Sequence, residues 1–136
     1  MDISQEEQAF ARLNLEYFGL QKYVDFRIED AQQLTFENGS FDIIFSVNML
    51  HHLTESFRVI DEFIRVLAFE GKIILTDFNQ EGLDVVSRVH QSEERIHRCS
   101  DFNLDEIMRY FREKGFSTER HGTKYQDIII AYHHLI

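Results

Sequence analysis

The sequence is short of the residues that mark several common protein classes. Among its 136 residues there is no proline, no tryptophan and a single cysteine, Cys99. One cysteine excludes an internal disulfide and is typical of a reducing compartment, so we expect a cytoplasmic protein rather than a small secreted one. The six glycines are scattered, and nothing in the chain reads G-x-G-x-G.

Basic residues are also in the minority. The chain has 14 Lys and Arg against 24 Asp and Glu, which gives a formal net charge of −10. Nucleic acids and anionic membrane surfaces attract proteins through basic patches, so the charge argues against both as partners. Long apolar runs are missing too, so the sequence predicts neither a membrane span nor a signal peptide.

What the chain does contain is an apolar pattern centred on residues 30–77. The runs Phe41–Val47 and Lys72–Thr76 are apolar without strict alternation, which predicts strands buried on both faces. A helix with Thr54 as its N-cap is predicted between them, because apolar residues recur there at helical spacing. Strand, helix and strand in this length predict a parallel pair with a right-handed crossover.

Elements are predicted on both sides of this unit. Ser4 and Glu7 form a capping box for a helix that ends at Gly19, and Val24–Ile28 is a predicted strand. The apolar stripe of that helix consists of Phe10, Leu13, Tyr17 and Leu20.

The second half of the chain predicts two helices and a hairpin. The first helix covers Leu83–Arg98, and the second is capped by Asn103 and ends at Gly115. Thr118–Tyr125 and Asp127–His133 are predicted antiparallel strands joined by a tight turn. The core face of the second helix consists of Leu104, Ile107, Met108 and Phe111.

Polar side chains follow two of the predicted strands. Asn48, His51 and His52 come after the strand that begins at Phe41, and Asp30 comes after the strand before it. In an open parallel sheet, ligands bind at the carboxyl ends of the strands, so these residues are candidates for a functional site.

Several short motifs follow one another along the chain in a particular order. They are Asp30-Ala31, Leu34-Thr35-Phe36, Ser40-Phe41-Asp42, Leu50-His51-His52-Leu53, Glu62-Phe63-Ile64-Arg65-Val66-Leu67 and Gly71-Lys72-Ile73-Ile74. Together they resemble the class I S-adenosylmethionine-dependent methyltransferases, in particular the type 11 small-molecule enzymes, from Asp2 to about Gly82. The resemblance implies an α/β, Rossmann-like methyltransferase fold, truncated at the N-terminus, with a mostly parallel sheet and a C-terminal antiparallel hairpin. Residues 1–136 would form one partial methyltransferase-like domain.

The resemblance also implies a cofactor, a substrate class and a set of site residues. The cofactor would be S-adenosylmethionine, and the substrate an unidentified small molecule. The implied cofactor-binding residues are Asp2 at the ribose, Ile3 at the adenine, Asp30 at the adenine amino group, Ala31 and Asn48. The implied catalytic residues, which border the transferred methyl group, are Asn48, His51 and His52.

Each candidate has a structural alternative. Asp2 could be a solvated residue near the terminus, and Asp30 could cap a turn. Either histidine could act as a general base, or one could pack under the following helix while the other is exposed. His90, Glu93 and His97 share one helix face, but two turns of helix separate the outer two, so we expect a polar face over the substrate opening and no metal.

The missing glycine-rich motif leaves a second function open. In the family that loop holds the methionine end of the cofactor, so the resemblance implies weak cofactor binding here. The alternative is a catalytically inactive truncated domain that acts as an interaction or dimerisation module; a remnant with no selected function is a third option. We expect Val24–Ile28 to pair directly with Phe41–Val47, and some self-association as a homodimer through exposed strand edges.

Overall fold

The computed structural model describes residues 4–92 and 103–133, without the side chains of 90–92. The described residues form two compact units, divided between Thr35 and Phe36. The elements in chain order are helix α1 (Gln5–Phe18), a 3-10 turn (Gln21–Tyr23), strand β1 (Phe41–Val47), a second 3-10 turn (Leu50–His52), helix α2 (Ser56–Val66), strand β2 (Leu67–Phe78), helix α3 (Gln80–Ser92), helix α4 (Leu104–Glu113), and strands β3 (Phe116–Gly122) and β4 (Gln126–His133).

The second unit is built on a four-stranded sheet with the order β1-β2-β4-β3. β1 and β2 are parallel, with Phe45 opposite Ile74, which confirms the predicted strand–helix–strand unit. β4 is antiparallel to both of its neighbours, so the C-terminal hairpin is confirmed as well. One of the three strand pairs is parallel, so the described sheet is mixed rather than mostly parallel.

One face of the sheet belongs to the core. Alternate residues of β2 and β4 are fully buried there, because successive side chains of a strand point to opposite faces. These residues are Ile73, Leu75, Ile129 and Ala131, and the buried residues of the helices beside them are Val59, Ile60, Phe63, Val66, Leu104, Ile107, Met108 and Phe111. The predicted core face of α4 is therefore confirmed.

The other face of the sheet is much more open at β1. Ile43, Phe45 and Val47 all point to it and are exposed, Phe45 by 68%. These three residues, the open face of β1, form an apolar strip at the edge of the sheet. The sequence predicted that β1 is buried on both faces. That prediction is wrong for the face that carries Ile43, Phe45 and Val47, which is exposed in the described structure.

The first unit carries helix α1. Its caps are as predicted, since the Ser4 hydroxyl accepts a hydrogen bond from the Glu7 N–H at 3.3 Å and Gly19 closes the helix in a left-handed conformation. The predicted apolar stripe exists but is exposed, with Tyr17 at 85%. Within described residues 4–35 there is no sheet and no second α-helix to cover it.

Two predictions about local structure are wrong. Val24–Ile28 is not a strand; Ile28 alone makes an isolated bridge, and the described sheet ends at β1. A strand needs a neighbour for its backbone groups along its whole length, which a local apolar pattern cannot guarantee. The direct pairing with Phe41–Val47, and hence a five-stranded sheet, is therefore wrong. Thr54 is not a cap either, because the N-cap of α2 is Glu55 and no side chain bonds to that helix end.

The assignment of residues 1–136 to a single domain stays a prediction. No helix in the described part of the chain is long and apolar enough to cross a membrane.

Candidate functional site

The carboxyl end of β1 is marked by an unusual backbone conformation at Asn48. Its φ is +51°, and no other non-glycine residue in the described ranges has a positive φ. The Asn48 N–H donates to the Thr76 carbonyl at 2.8 Å, which ties this turn to the end of β2. Strained positions of this kind cost free energy and cluster at functional sites.

The 3-10 turn after Asn48 places a histidine against a carboxylate from β2. Nδ1 of His51 lies 2.7 Å from Oδ1 of Asp77, and the two side chains are 2% and 1% exposed. The two residues lie at the carboxyl ends of β1 and β2, which meet at the same edge of the sheet because the two strands are parallel. They form a buried histidine–carboxylate dyad.

Asp77 is held by more than the imidazole. Its Oδ2 accepts the N–H groups of Leu50 at 2.9 Å and of His51 at 3.3 Å, and its Oδ1 accepts the Phe78 N–H at 2.8 Å. The Phe78 ring packs edge-on against the His51 ring at 4.9 Å. The carboxylate therefore fixes both the histidine and the turn that carries it.

His52 differs from its neighbour in burial. Its side chain is exposed, although its ring lies 3.9 Å from the His51 ring. The alternative in which one histidine packs inside while the other is exposed therefore agrees with the structure. Burial and the bond to Asp77 single out His51 as the oriented histidine.

A second contact at this edge joins Asn48 to β4. Nε2 of Gln126 donates to Oδ1 of Asn48 at 2.9 Å, and both side chains are half-buried. Gln126 is the first residue of β4 and lies opposite Phe78. Because β4 is antiparallel to β2, its amino end lies at the same edge as the carboxyl ends of β1 and β2.

Asp127 is the direct neighbour of Asp77 across β2 and β4, and it has partners of its own. It accepts hydrogen bonds from Asn79 Nδ2 at 3.0 Å and Arg120 Nε at 2.7 Å. Burial opposes its charged form, but the bonds from Asn79 and Arg120 outweigh it, so the pKa of Asp127 lies below its ordinary value. Arg120 also bonds to Asp105, which connects the site end of the sheet to α4.

The start of α3 approaches this edge closely. The Asn79 side chain accepts the Gly82 N–H at 3.0 Å, so it caps α3, and the Asn79 N–H donates to the Tyr125 carbonyl at 3.1 Å. A Cβ on Gly82 would lie 2.1 Å from that Tyr125 oxygen. Only glycine allows the helix and the β3–β4 turn to come this near.

The predicted adenosine residues lie in the first unit or outside the described ranges. Asp30 is exposed, and its Oδ1 accepts the Gln32 N–H at 2.9 Å, so the residue does cap a turn. Among the described residues no donor pairs with its other oxygen, and a carboxylate oxygen suits the amino group of an adenine. Ala31 follows it and is half-buried. Asp2 and Ile3 lie outside the described residues.

The helix face that carries His90, Glu93 and His97 is the other candidate cluster of the sequence. The His90 side chain, Glu93, His97 and Cys99 all lie outside the part that the structure describes. Within the described side chains, no group of histidine, cysteine and acidic residues is placed to hold a metal ion. The expectation of no metal stays a prediction.

Sequence reasoning missed two residues of this site. Asp77 ends the second strand of the parallel pair, so the same rule that selected Asn48 could have found it. Gln126 offered no comparable signal, because it starts an antiparallel strand 78 positions along the chain from Asn48.

The sequence matches known proteins over much of its length. A family model described as "Methyltransferase domain" matches residues 1–75. A 27-O-demethylrifamycin SV methyltransferase from Amycolatopsis mediterranei (strain S699) is 31% identical over 101 residues, which cover 71% of this chain and 36% of that protein. Ajmaline N-methyltransferase from Rauvolfia serpentina is 28% identical over 99 residues, which cover 72% of this chain and 34% of that protein. The chain therefore spans about a third of the length of these relatives.

Solved structures resemble the fold. A SAM-dependent methyltransferase from Aquifex aeolicus superposes with a TM-score of 0.71 at 17% identity, covering 96% of this chain and 65% of that one. The [4+2]-cyclase SpnF also gives a TM-score of 0.71, at 16% identity, covering 96% of this chain and 64% of that one. At such identities the likeness shows the Rossmann-like α/β fold alone, and the second structure is named for a different reaction.

Proposed function

This chain belongs to the methyltransferase domain family, and from that premise we propose that it methylates an oxygen atom of a small molecule. S-adenosylmethionine is the cofactor that the family and the fold imply. His51 would be the general base, and Asp77 the residue that orients it. Asn48, at the same sheet edge, would border the acceptor.

The observation that carries the proposal is the buried dyad. The 2.7 Å contact between Nδ1 of His51 and Oδ1 of Asp77 favours the tautomer that carries its proton on Nδ1. In that tautomer a neutral imidazole has its lone pair on Nε2, where it can take a proton. A hydroxyl group must lose a proton when it is methylated, whereas a neutral amine can attack with its free lone pair. An oriented histidine therefore favours oxygen over nitrogen as the methylated atom.

The chemistry at the acceptor then has a simple balance. When bound, S-adenosylmethionine supplies a methyl group already activated by its positive sulfur. Nε2 of His51 would take the proton that the acceptor hydroxyl loses when its oxygen is methylated, and Asp77 would hold the imidazole in place. Positioning and exclusion of water supply the rest of the rate.

Asp30 would hold the adenine amino group, with Ala31 beside it, and Asp2 and Ile3 would complete the nucleoside site. The glycine-rich motif of the family is missing from the sequence. Two hydrogen bonds to the charged methionine end, each worth about 1.5–3 kcal/mol, would be lost from a micromolar complex. We therefore expect the chain alone to bind S-adenosylhomocysteine with a Kd of about 1 mM.

A methyl-transfer assay tests the proposal. The chain is incubated with methyl-labelled S-adenosylmethionine and either a simple phenol or a simple amine, and we expect label in the phenol. His51→Gln should lower the rate about 10²-fold or more without changing S-adenosylhomocysteine binding by calorimetry. His52→Gln is the matched control and should lose far less. Equal losses in the two variants, or label in the amine alone, would contradict the assignment.

The open face of β1 favours a second candidate function. An interaction or dimerisation module needs an exposed apolar surface, and Ile43, Phe45 and Val47 provide one. Light scattering on a size-exclusion column gives the mass of the particle. A homodimer that neither binds S-adenosylhomocysteine nor transfers methyl groups would favour this function over catalysis.

The net charge of −10 supports the proposal that neither nucleic acids nor membranes are partners. The single cysteine supports the proposal of a cytoplasmic location.

A further inference from the structure

The contact between Gln126 and Asn48 has no part in the proton transfer proposed above. Gln126 Nε2 donates to Asn48 Oδ1 at 2.9 Å, and Thr76 accepts the Asn48 N–H at 2.8 Å. These two bonds hold Asn48 in a conformation with a φ of +51°. Residues of two neighbouring strands therefore hold one strained asparagine at the edge where the dyad lies.

The direction of the amide bond decides what Asn48 offers to a ligand. A side-chain amide carries its acceptor oxygen on one side and its two N–H donors on the other. Because Gln126 occupies the oxygen, the Nδ2 donors point elsewhere. No group among the described residues pairs with Nδ2 of Asn48. A half-buried donor is costly unless water or a ligand accepts from it.

We propose that Gln126 is a positioning residue that fixes the Asn48 amide as a donor and thereby selects the methyl acceptor. The selected molecules carry an oxygen that can accept a hydrogen bond, such as an ether, carbonyl or hydroxyl oxygen, next to the hydroxyl that is methylated. An N–H group at that place would face the Asn48 N–H groups, with donor against donor. The inference rests on the proposed methyl transfer, because it concerns the same acceptor.

Two phenols of similar size separate these cases. Guaiacol has an ether oxygen beside its hydroxyl, and ortho-aminophenol has an amino group there; both are uncharged at neutral pH. Binding of each is measured by ligand-observed NMR in the presence of S-adenosylhomocysteine. We expect guaiacol to bind about tenfold more tightly, because ortho-aminophenol leaves the Asn48 N–H groups without an acceptor.

Variants show whether Gln126 is responsible. Gln126→Met keeps the length of the side chain and removes its amide, so the tenfold preference should fall close to one with little change in Tm. Asn48→Ala should remove the preference as well, and the double variant should add nothing further, because Gln126 acts through Asn48. A preference that persists in Gln126→Met, or that is absent in the wild type, overturns the inference. Failure of both phenols to bind overturns it too.

Methyl transfer to both phenols is measured on the same protein preparations, with methyl-labelled S-adenosylmethionine in place of S-adenosylhomocysteine. If the wild type prefers guaiacol and Gln126→Met does not, yet no label is transferred, the proposed reaction fails and the selection by the amide stands. If label is transferred equally to both phenols by the wild type and by Gln126→Met, the reaction stands and the selection fails. The two results are therefore distinguishable.

Discussion

The exchange Asp77→Asn is the sharpest test of how the site is held together. Oδ1 of Asp77 accepts from His51 Nδ1 and the Phe78 N–H, and Oδ2 accepts from the Leu50 and His51 N–H groups. A carboxylate has two acceptor oxygens, whereas an amide has one and brings two donors of its own. In the variant, the less costly arrangement turns the NH2 group toward His51 Nδ1 and the Phe78 N–H, because the imidazole can switch tautomer and accept a hydrogen bond from it. The Phe78 N–H then loses its acceptor.

The expected loss follows from that count. A hydrogen bond to a charged group contributes about 1.5–3 kcal/mol, so one lost bond costs that much, and the remaining bonds weaken because their acceptor is no longer charged. The variant no longer buries a charge, which offsets part of the loss. We therefore expect a loss of about 2 kcal/mol, which in a domain of this size lowers Tm by roughly 7 °C.

Thermal and urea unfolding followed by circular dichroism measure this loss. The urea midpoint should fall while the slope of the transition stays unchanged, because the same surface is exposed on unfolding. Asp42→Asn is the matched control, since Asp42 is an exposed residue of β1. A loss below about 1 kcal/mol for Asp77→Asn would refute the reasoning, because a buried carboxylate with these partners cannot be that dispensable.

Three further predictions concern other residues. Gly82→Ala should destabilise the fold by about 1–2 kcal/mol, because a Cβ 2.1 Å from the Tyr125 oxygen outweighs the helix propensity that alanine adds. The lowered pKa of Asp127 stabilises the fold above its unfolded pKa, and this contribution is lost as the pH falls through the folded pKa. The free energy of unfolding should therefore drop more between neutral pH and pH about 3 in the wild type than in Asp127→Asn. Asp30→Ala should weaken S-adenosylhomocysteine binding about tenfold in calorimetry, with a Tm change below about 5 °C.

Each of these has its own control. Arg88→Ala, at an exposed position of α3, should leave Tm unchanged. A Tm for Gly82→Ala at or above the wild-type value would contradict the prediction, because it would mean that the Tyr125 carbonyl can shift at little cost. Identical pH dependence of the wild type and Asp127→Asn would remove the role given to that carboxylate. Asp25→Ala, at another exposed acid of the first unit, should not affect binding. A larger fall in Tm for Asp30→Ala would identify Asp30 as a structural cap alone.

The fold could be predicted where the pattern was local. The limits of β1 at Phe41–Val47 were correct, because an apolar run with turn residues before it specifies a strand by itself. The strand at Val24–Ile28 could not be judged in this way, since its apolar pattern says nothing about whether a neighbouring strand will pair with it.

The site could be predicted only in part for the same reason. Asn48 and His51 follow a strand and were found from that position, whereas the partner of each comes from a distant segment. Asp77 is 26 positions from His51, and Gln126 is 78 from Asn48. Only the register of β1, β2 and β4 brings these partners to one edge.

The facing carboxylates Asp77 and Asp127 have a consequence for how this sheet end can evolve. Like charges directly opposite each other across two strands are unfavourable, so each is tolerable only with its own donors. Loss of the His51 side chain alone would leave Asp77 with backbone N–H donors only, and loss of Arg120 alone would leave Asp127 without its charged partner. In descendants of this sequence, we expect residue 51 to change together with residue 77, and residue 120 with residue 127, as two separate blocks of covariation.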